Sequence, residues 1–143
     1  MSYPVYALFV YGSLRSGFHH PAFAYISQYF HFVADARVHG KLYDMGDFPA
    51  ACPTTEDRWI IGELYHANSE DVFDWAISQL DDYEGLYPEI GEPAWYRREL
   101  TQVQRSSDGA IAQAWIYWYN GDVKGKPIVE SGDVLAYFQS KNK

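Results

Sequence analysis

The stretch Val5-Tyr6-Ala7-Leu8-Phe9-Val10-Tyr11 is an unbroken apolar run that stops at Gly12-Ser13. A run of this length is typical of a strand that is buried on both of its faces. Such a strand has to lie in the middle of a sheet. We therefore predict a central first strand, around which the rest of the chain is arranged.

Alternation and composition predict four more strands. In Arg37 to Tyr43, polar and apolar residues alternate as in a half-exposed strand, and Trp59 to His66 is its predicted neighbour. Tyr96 to Val103 and Ala112 to Tyr119 are rich in aromatic and β-branched residues. The polar segment Arg105 to Gly109 lies between these two runs, which predicts a hairpin.

Three helices are predicted between and after these strands. The first covers His19 to Tyr29 and starts near Pro21, a residue that the first turn of a helix accepts. The second begins after an N-cap at Ser69 and runs to about Asp82, and the third covers Gly132 to Ser140. Five strands with few helices indicate an α+β fold.

Length and composition limit the class of protein. The 143 residues fit a single domain, residues 1–143, and no apolar run approaches the roughly 20 residues that span a bilayer. The N-terminus lacks the features of a secretory signal, so we expect a cytoplasmic protein that does not associate with membranes. Cys52 is the only cysteine, which rules out a disulfide within the chain.

The charge of the chain also limits its partners. A formal net charge of −8 opposes binding to nucleic acid, which requires a basic face. The same charge repels acidic small molecules at long range, so a site for one must attract its anion locally. Aromatic residues make up 18% of the chain, which fits a β-rich core, with or without a cavity lined by tyrosine hydroxyls.

The second helix carries the first candidate for catalysis. Its apolar positions Phe73, Ile77 and Leu80 are spaced by four and three, and a further step of four reaches Glu84. Partial burial and the negative end of the helix would both raise the pKa of this carboxyl, which suits proton transfer near neutral pH. The alternative is a solvated acidic loop, because Glu89 and other acidic residues follow.

The second candidate is the turn Tyr11-Gly12-Ser13-Leu14-Arg15, which leaves the first strand through a glycine. Successive backbone N–H groups in such a turn can surround an anion such as a carboxylate. The alternative is an ordinary turn without a ligand. Ser13 lacks the Gly-x-Ser-x-Gly elbow that would favour a nucleophilic serine.

Three segments together resemble the γ-glutamyl cyclotransferase-like family, which includes AIG2-like proteins. They match its motifs in order and separation and are Phe9-Val10-Tyr11-Gly12-Ser13-Leu14-Arg15, Leu80-Asp81-Asp82-Tyr83-Glu84-Gly85 and Trp95-Tyr96-Arg97-Arg98. A late Glu130-Ser131-Gly132-Asp133 is similar to small bacterial members. The resemblance covers roughly residues 5 to 135.

This resemblance implies a small mixed β-barrel with flanking helices and a pocket at one mouth of the barrel. It implies that Glu84 is catalytic and that the turn of Tyr11, Gly12, Ser13 and Leu14 binds a γ-glutamyl head group by backbone amides. The reaction would cyclise the γ-glutamyl group to 5-oxoproline and release an amine. Glu84 would move both protons, so neither a metal nor an organic cofactor is needed.

The last two strands offer further candidates for substrate binding. By strand alternation Tyr96 and Arg98 share one face, as do Tyr117 and Tyr119. If these faces line the pocket, Tyr96, Arg98 and Tyr119 contact the substrate. The alternatives are tyrosines that only pack the barrel and an Arg98 that forms a structural ion pair.

Two other functional classes remain open. One is a binding or interaction module that keeps the pocket without turnover, and the other is a hydrolase in which Glu84 activates water. Adjacent His19-His20 has no companion ligands at metal-site spacing, so no metal site is predicted. The identity of the γ-glutamyl substrate and the oligomeric state are not determined by the sequence.

Overall fold

A computed structural model describes residues 5–12, 21–46, 49–83, 96–134 and 136–137 of the chain. Its elements, in chain order, are β1 (Ala7–Val10), α1 (Pro21–Tyr29), β2 (Phe30–His39), β3 (Lys41–Asp44), β4 (Pro49–Cys52), β5 (Trp59–Ala67), α2 (Glu70–Tyr83), β6 (Tyr96–Arg105) and β7 (Ile111–Tyr119). The predicted α+β fold is confirmed. Neither α1 nor α2 is long and apolar enough to cross a membrane.

Five strands close into a barrel in the order β1-β5-β2-β6-β7, and β3 pairs with β4 in a separate two-stranded sheet. Strand β1 is antiparallel to β5 and parallel to β7, so the barrel is mixed, as expected. The central position of β1 is confirmed, since it has a partner on each side and Leu8, Phe9 and Val10 are all buried.

Two hydrophobic layers follow from the alternation of residues along β1. Phe9 points into a cluster with Ile60 and Ile116 from other barrel strands, which forms the interior of the barrel. Leu8 and Val10 point into a second cluster that contains residues of both helices, so this layer lies between the outer face of the barrel and the helices.

Helix α2 forms as its sequence predicts. The Ser69 hydroxyl accepts a hydrogen bond from the Val72 N–H at 3.3 Å, which confirms the N-cap. Phe73, Ile77 and Leu80 are at most 5% exposed, so the predicted stripe faces the core. The helix ends at Tyr83, one residue beyond the predicted boundary.

The prediction of one strand over Arg37 to Tyr43 was wrong in its bounds. Strand β2 starts earlier, at Phe30, where a register shift between Phe32 and Ala34 breaks the alternation. The chain then changes sheet at Gly40, where an added Cβ would lie 2.5 Å from Ile60 Cδ1 and 3.1 Å from the Cys52 carbonyl oxygen. A larger residue at this position would therefore displace the Ile60 side chain and press on the backbone of β4.

Strand β4 was missed by the sequence analysis. Its four residues, Pro49-Ala50-Ala51-Cys52, carry neither alternation nor β-branched side chains. The strand exists because β3 provides a complete antiparallel partner, from Lys41 opposite Cys52 to Asp44 opposite Pro49. The described residues therefore contain seven strands instead of the five predicted.

The predicted third helix, Gly132 to Ser140, is described only in part. Val134, Ala136 and Tyr137 have helical conformation. The Asp133 carboxylate accepts the Ala136 N–H at 3.2 Å, as an N-cap does. The start of this helix is confirmed within two residues, and its predicted end lies outside the described residues.

Two isoleucines test the assignment of the barrel interior. Ile60 is 0% exposed and Ile111 is 60% exposed. Because a buried Ile→Ala change removes apolar contacts and leaves a cavity, we expect Ile60→Ala to lower the free energy of unfolding by about 2–5 kcal/mol. The matched Ile111→Ala should change it by less than about 0.5 kcal/mol. Urea unfolding measures both, and equal losses would contradict the assignment.

Candidate active site

The strand register brings three predicted site residues into one row. Tyr96 lies opposite Tyr119 in the hairpin of β6 and β7. Leu8 pairs with Trp115 across the parallel strands β1 and β7. Because both strands run in the same direction, four residues further along brings the chain to Gly12, just beyond β1, and to Tyr119 on β7. Gly12, Tyr119 and Tyr96 are therefore neighbours at one end of the barrel.

A segment of β4 closes over this row. The Tyr96 hydroxyl donates a hydrogen bond to the Pro49 carbonyl at 3.3 Å, and the rings of Tyr96 and Tyr119 lie 5.5 Å apart, edge to face. A Cβ atom on Gly12 would lie 3.4 Å from Pro49 Cγ. Pro49 thus belongs to the site, although no pattern in the sequence indicated it.

Tyr11 has a structural side chain. Its ring is buried in the barrel interior, and its hydroxyl donates to the Tyr117 carbonyl at 2.6 Å. This bond ties the end of β1 to β7 just before the predicted anion-binding turn. The predicted role of Tyr11 concerned its backbone, whereas this contact is made by its side-chain hydroxyl.

Next to the row, a buried carboxylate joins α2 to the hairpin. Asp81 is 1% exposed and accepts two hydrogen bonds from Arg98, Nε to Oδ1 at 2.7 Å and a terminal nitrogen to Oδ2 at 3.0 Å. The Tyr117 hydroxyl donates to the same Oδ1 at 2.9 Å. Such a bidentate, charge-assisted contact fixes geometry as well as adding energy. It therefore anchors the last turn of α2 to β6 and β7.

The described contacts of Arg98 fit the ion-pair alternative that the sequence left open. Besides binding Asp81, the guanidinium lies over the ring of Trp115, 4.4 Å from its centroid. The Trp115 indole N–H in turn donates to the Val5 carbonyl at 2.9 Å. Arg98 is therefore held by a carboxylate on one side and by an anchored aromatic ring on the other.

Sequence reasoning noticed Asp81 only as a neighbour of Glu84. A signal was present, because Phe73, Ile77 and Asp81 are spaced by four and lie on one stripe. Placing a carboxylate where this stripe calls for an apolar residue predicts a buried charge with a partner. Arg98, on the face of the following strand that is turned toward α2, is that partner.

A second buried carboxylate was also missed. Glu63 is 5% exposed and lies in β5 opposite Val10. It accepts a hydrogen bond from the Tyr65 hydroxyl at 2.8 Å. The register of the parallel strands β1 and β7 places Val10 beside Tyr117. Arg98 is the partner of Tyr117 on β6, so Glu63 and Arg98 lie at the same height of the barrel, with β1 and β7 between them. A glutamate inside the apolar run of β5 was the available signal.

The remaining predicted site residues, Ser13, Leu14 and Glu84, lie outside the described residues. Glu84 follows Asp81 by three positions, so its Cα lies within about 11 Å of the Asp81 Cα whatever the conformation between them. Arg98 and Tyr117 both bind Asp81, the residue three positions before Glu84 in the sequence.

A metal centre with three or more protein ligands and thiol chemistry both lack support from the part of the chain that is described. Residues 5–12, 21–46, 49–83, 96–134 and 136–137 contain no group of three or more His, Cys, Asp or Glu side chains suited to a metal ion. Burial raises the pKa of the Cys52 thiol, only partly offset by Arg97 and Lys41. The thiol therefore stays protonated near neutral pH and is a poor nucleophile.

Comparisons with known proteins give a consistent family assignment. The family model described as "Gamma-glutamyl cyclotransferase, AIG2-like" matches residues 8–136. The chain is 30% identical to the γ-glutamylcyclotransferase family protein YtfP of Escherichia coli K12 over 135 residues, which cover 90% of this chain and 95% of that protein.

Solved structures agree with this fold. YkqA of Bacillus subtilis aligns with a TM-score of 0.69 at 27% identity, over 96% of this chain but 42% of its own. The E. coli ytfP solution structure gives a TM-score of 0.62 at 27% identity, over 92% of this chain and 98% of its own. A mouse AIG2-like protein shares the fold, with a TM-score of 0.66 at 23% identity over 92% of this chain and 90% of its own.

The Asp81–Arg98 contact predicts a large effect on stability. Asp81→Asn removes the charge but keeps an oxygen acceptor, and it leaves the guanidinium partly buried without a counter-charge. We expect it to lower the free energy of unfolding by about 3 kcal/mol. The control is Glu99→Gln, whose pair with Arg97 is exposed on both sides, and it should change the value by less than about 0.5 kcal/mol.

Urea unfolding of the two variants and the unmodified chain, followed by circular dichroism, gives both values. An Asp81→Asn variant that is as stable as Glu99→Gln would show that this contact does not anchor α2.

Proposed function

Because this chain belongs to the γ-glutamyl cyclotransferase, AIG2-like family, we propose that it converts a γ-glutamyl compound into 5-oxoproline and a free amine. The observation that carries the proposal is the convergence of Gly12, Tyr96 and Tyr119 at the end of β1, beside the helix end that leads to Glu84. Gly12, Glu84 and Tyr96 come from three separate motifs of the sequence, and Tyr119 is the strand partner of Tyr96.

The proposed reaction is an intramolecular acyl transfer. The Glu84 carboxylate takes a proton from the α-amino group of the substrate, and this nitrogen attacks the γ-carbonyl carbon. The bond from that carbon to the leaving nitrogen breaks, and the protonated Glu84 delivers its proton to the departing amine. Nucleophile and electrophile belong to one molecule, so orientation costs little and no water is consumed.

The turn after β1 is proposed to hold the α-carboxylate of the substrate. A chain with a net charge of −8 has to attract this anion locally, and the backbone N–H groups of residues 11–14 are suited to that role. Gly12 supports the proposal, since a side chain there would extend toward Pro49 and occupy the space beside the turn. Tyr96 and Tyr119 would close the other side of the head group.

The Asp81–Arg98–Tyr117 contact is proposed to position the catalytic carboxylate. It fixes the last turn of α2, from which the chain continues to Glu84. Arg98 also neutralises Asp81, so this carboxylate does not add an uncompensated negative charge beside Glu84. In this proposal Arg98 acts through Glu84 and does not touch the substrate.

The first test is the reaction itself. Wild-type protein incubated with a panel of γ-glutamyl amino acids, γ-glutamyl peptides and γ-glutamyl-lysine is expected to release 5-oxoproline, detected by mass spectrometry. Glu84→Gln should lower the rate by about 10²–10⁴-fold, because general acid–base catalysis contributes that much. Glu89→Gln, a matched change in the same acidic segment, should leave the rate within about twofold of wild type.

The products separate the competing functions. Release of free glutamate in place of 5-oxoproline would indicate a hydrolase, in which Glu84 activates water. Saturable binding of a γ-glutamyl compound without any product would favour the binding module. Equal losses in Glu84→Gln and Glu89→Gln would contradict the role of Glu84.

A second prediction separates the two roles considered for Arg98. Arg98→Lys keeps the positive charge but loses the two-point contact with Asp81, so Glu84 would be held less accurately. We expect kcat to fall by about 10- to 100-fold, with KM within about twofold of wild type. If Arg98 instead binds the substrate, KM rises while kcat changes little. Steady-state kinetics below the unfolding temperature of the variant distinguish these outcomes.

A further inference from the structure

Two exposed histidines form a pair at the opposite end of the barrel from the candidate active site. His31 of β2 lies directly opposite His66 of β5, and their ring centroids are 5.7 Å apart with the planes tilted by 35°. His66 is also level with Ala7, the first residue of β1, whereas Gly12 follows the last. The pair is therefore separate from the proposed reaction.

The hydrogen bonds around the pair assign the proton positions of both rings. The Asn68 amide nitrogen donates to the Gln28 carbonyl at 3.2 Å, so its oxygen faces His31 and accepts from Nδ1 of that ring at 3.1 Å. Nδ1 of His66 lies 2.8 Å from the Ala67 carbonyl, which can only accept. In the tautomer that these two acceptors favour, both Nδ1 atoms donate and each Nε2 atom is left with a lone pair for a ligand.

This arrangement matches what metal-binding histidines require. Such a histidine almost always donates its second ring N–H to a carbonyl or carboxylate, which fixes the tautomer and the direction of the ring. Here an amide oxygen and a backbone carbonyl serve both rings. We propose that His31 and His66 form a two-histidine site for a divalent transition-metal ion that prefers imidazole nitrogen, with water as the remaining ligands.

The spacing of the rings suits a shared ion. With Zn–N bonds of about 2.0–2.1 Å, each ring centroid lies about 3.2 Å from the metal, and a tetrahedral angle puts the two centroids about 5 Å apart. The observed 5.7 Å is close to this value, and the two exposed side chains project from directly opposed positions of adjacent strands.

Nearby acidic residues favour a cation at this place. The ring of Tyr6 contacts His66 edge to face, with centroids 6.4 Å apart. The same ring packs against Phe73 of α2, with centroids 5.3 Å apart, and the first turn of that helix carries Glu70 and Asp71, so negative charge lies on this side of the barrel. This charge raises the local concentration of cations.

The ligand type selects the metal class. Imidazole nitrogen suits zinc, copper and nickel, whereas magnesium and calcium take oxygen ligands. Zinc is the appropriate probe because it has no redox chemistry under assay conditions. A site with two protein ligands and water in the other positions exchanges its ion readily.

Isothermal titration of Zn²⁺ into the untagged full chain, in a buffer that does not bind metals, tests the site. We expect one saturable site, and His31→Gln and His66→Gln should each weaken binding by about tenfold or more. Mg²⁺ at the same concentration should give no heat. The matched control is His39→Gln, because His39 is an exposed histidine of the same strand that packs against Trp59 instead of a second imidazole.

The adjacent His19-His20 pair is the main competitor for zinc, so a variant with both changed to Gln is titrated in parallel. Retained binding in this variant supports the site at His31 and His66, and lost binding overturns it. Zinc affinity in His31→Gln and His66→Gln equal to that of wild type also overturns the proposal. Zn²⁺ should raise the thermal midpoint of wild type and not of His31→Gln, because the ion joins β2 to β5 only in the folded state.

Discussion

The fold depends on one constraint, which is that β1 has a strand on each side and a packed layer on each face. Alternate residues of a four-residue strand must therefore satisfy two different cores. Phe9 fills the interior of the barrel, while Leu8 and Val10 support the helices on the outside. Each fully buried side chain of this kind contributes about 1.5–3 kcal/mol. The turn that leaves β1 starts from this rigid base, and a functional turn requires such support.

Much of the fold could be predicted from the sequence, because buried apolar residues recur with the period of the helix or strand that carries them. The continuous run of β1, the stripe of α2 and the aromatic hairpin of β6 and β7 all depend on side chains that face a core. Strand β4 could not be found in this way, since it exists through its pairing with β3 and has no pattern of its own. The candidate site likewise contains residues that the sequence predicted and one that it did not. Gly12 and Tyr96 were predicted from motifs and Tyr119 from strand alternation, while Pro49 entered only through β4.

Asp81 and Arg98 illustrate why charges are harder to predict than apolar stripes. A carboxylate at an inward position is unfavourable alone and acceptable with a partner, and the partner is 17 residues away in another element. A hydrophobic pair could fill the same volume with similar stability. The ion pair differs in that a bidentate contact tolerates only one angle between α2 and β6, so it determines orientation more than it adds energy.

The parallel contact between β1 and β7 has a further consequence for synthesis in the cell. Leu8 is matched with Trp115, so the barrel cannot close until the ribosome has synthesised and released the chain through β7. Until then the apolar strand β1 lacks one of its two neighbours. Folds whose contacts join residues far apart in sequence form slowly, and their intermediates expose apolar surface that promotes aggregation. We therefore expect the yield of native protein to depend on translation speed and on chaperones that shield the emerging N-terminus.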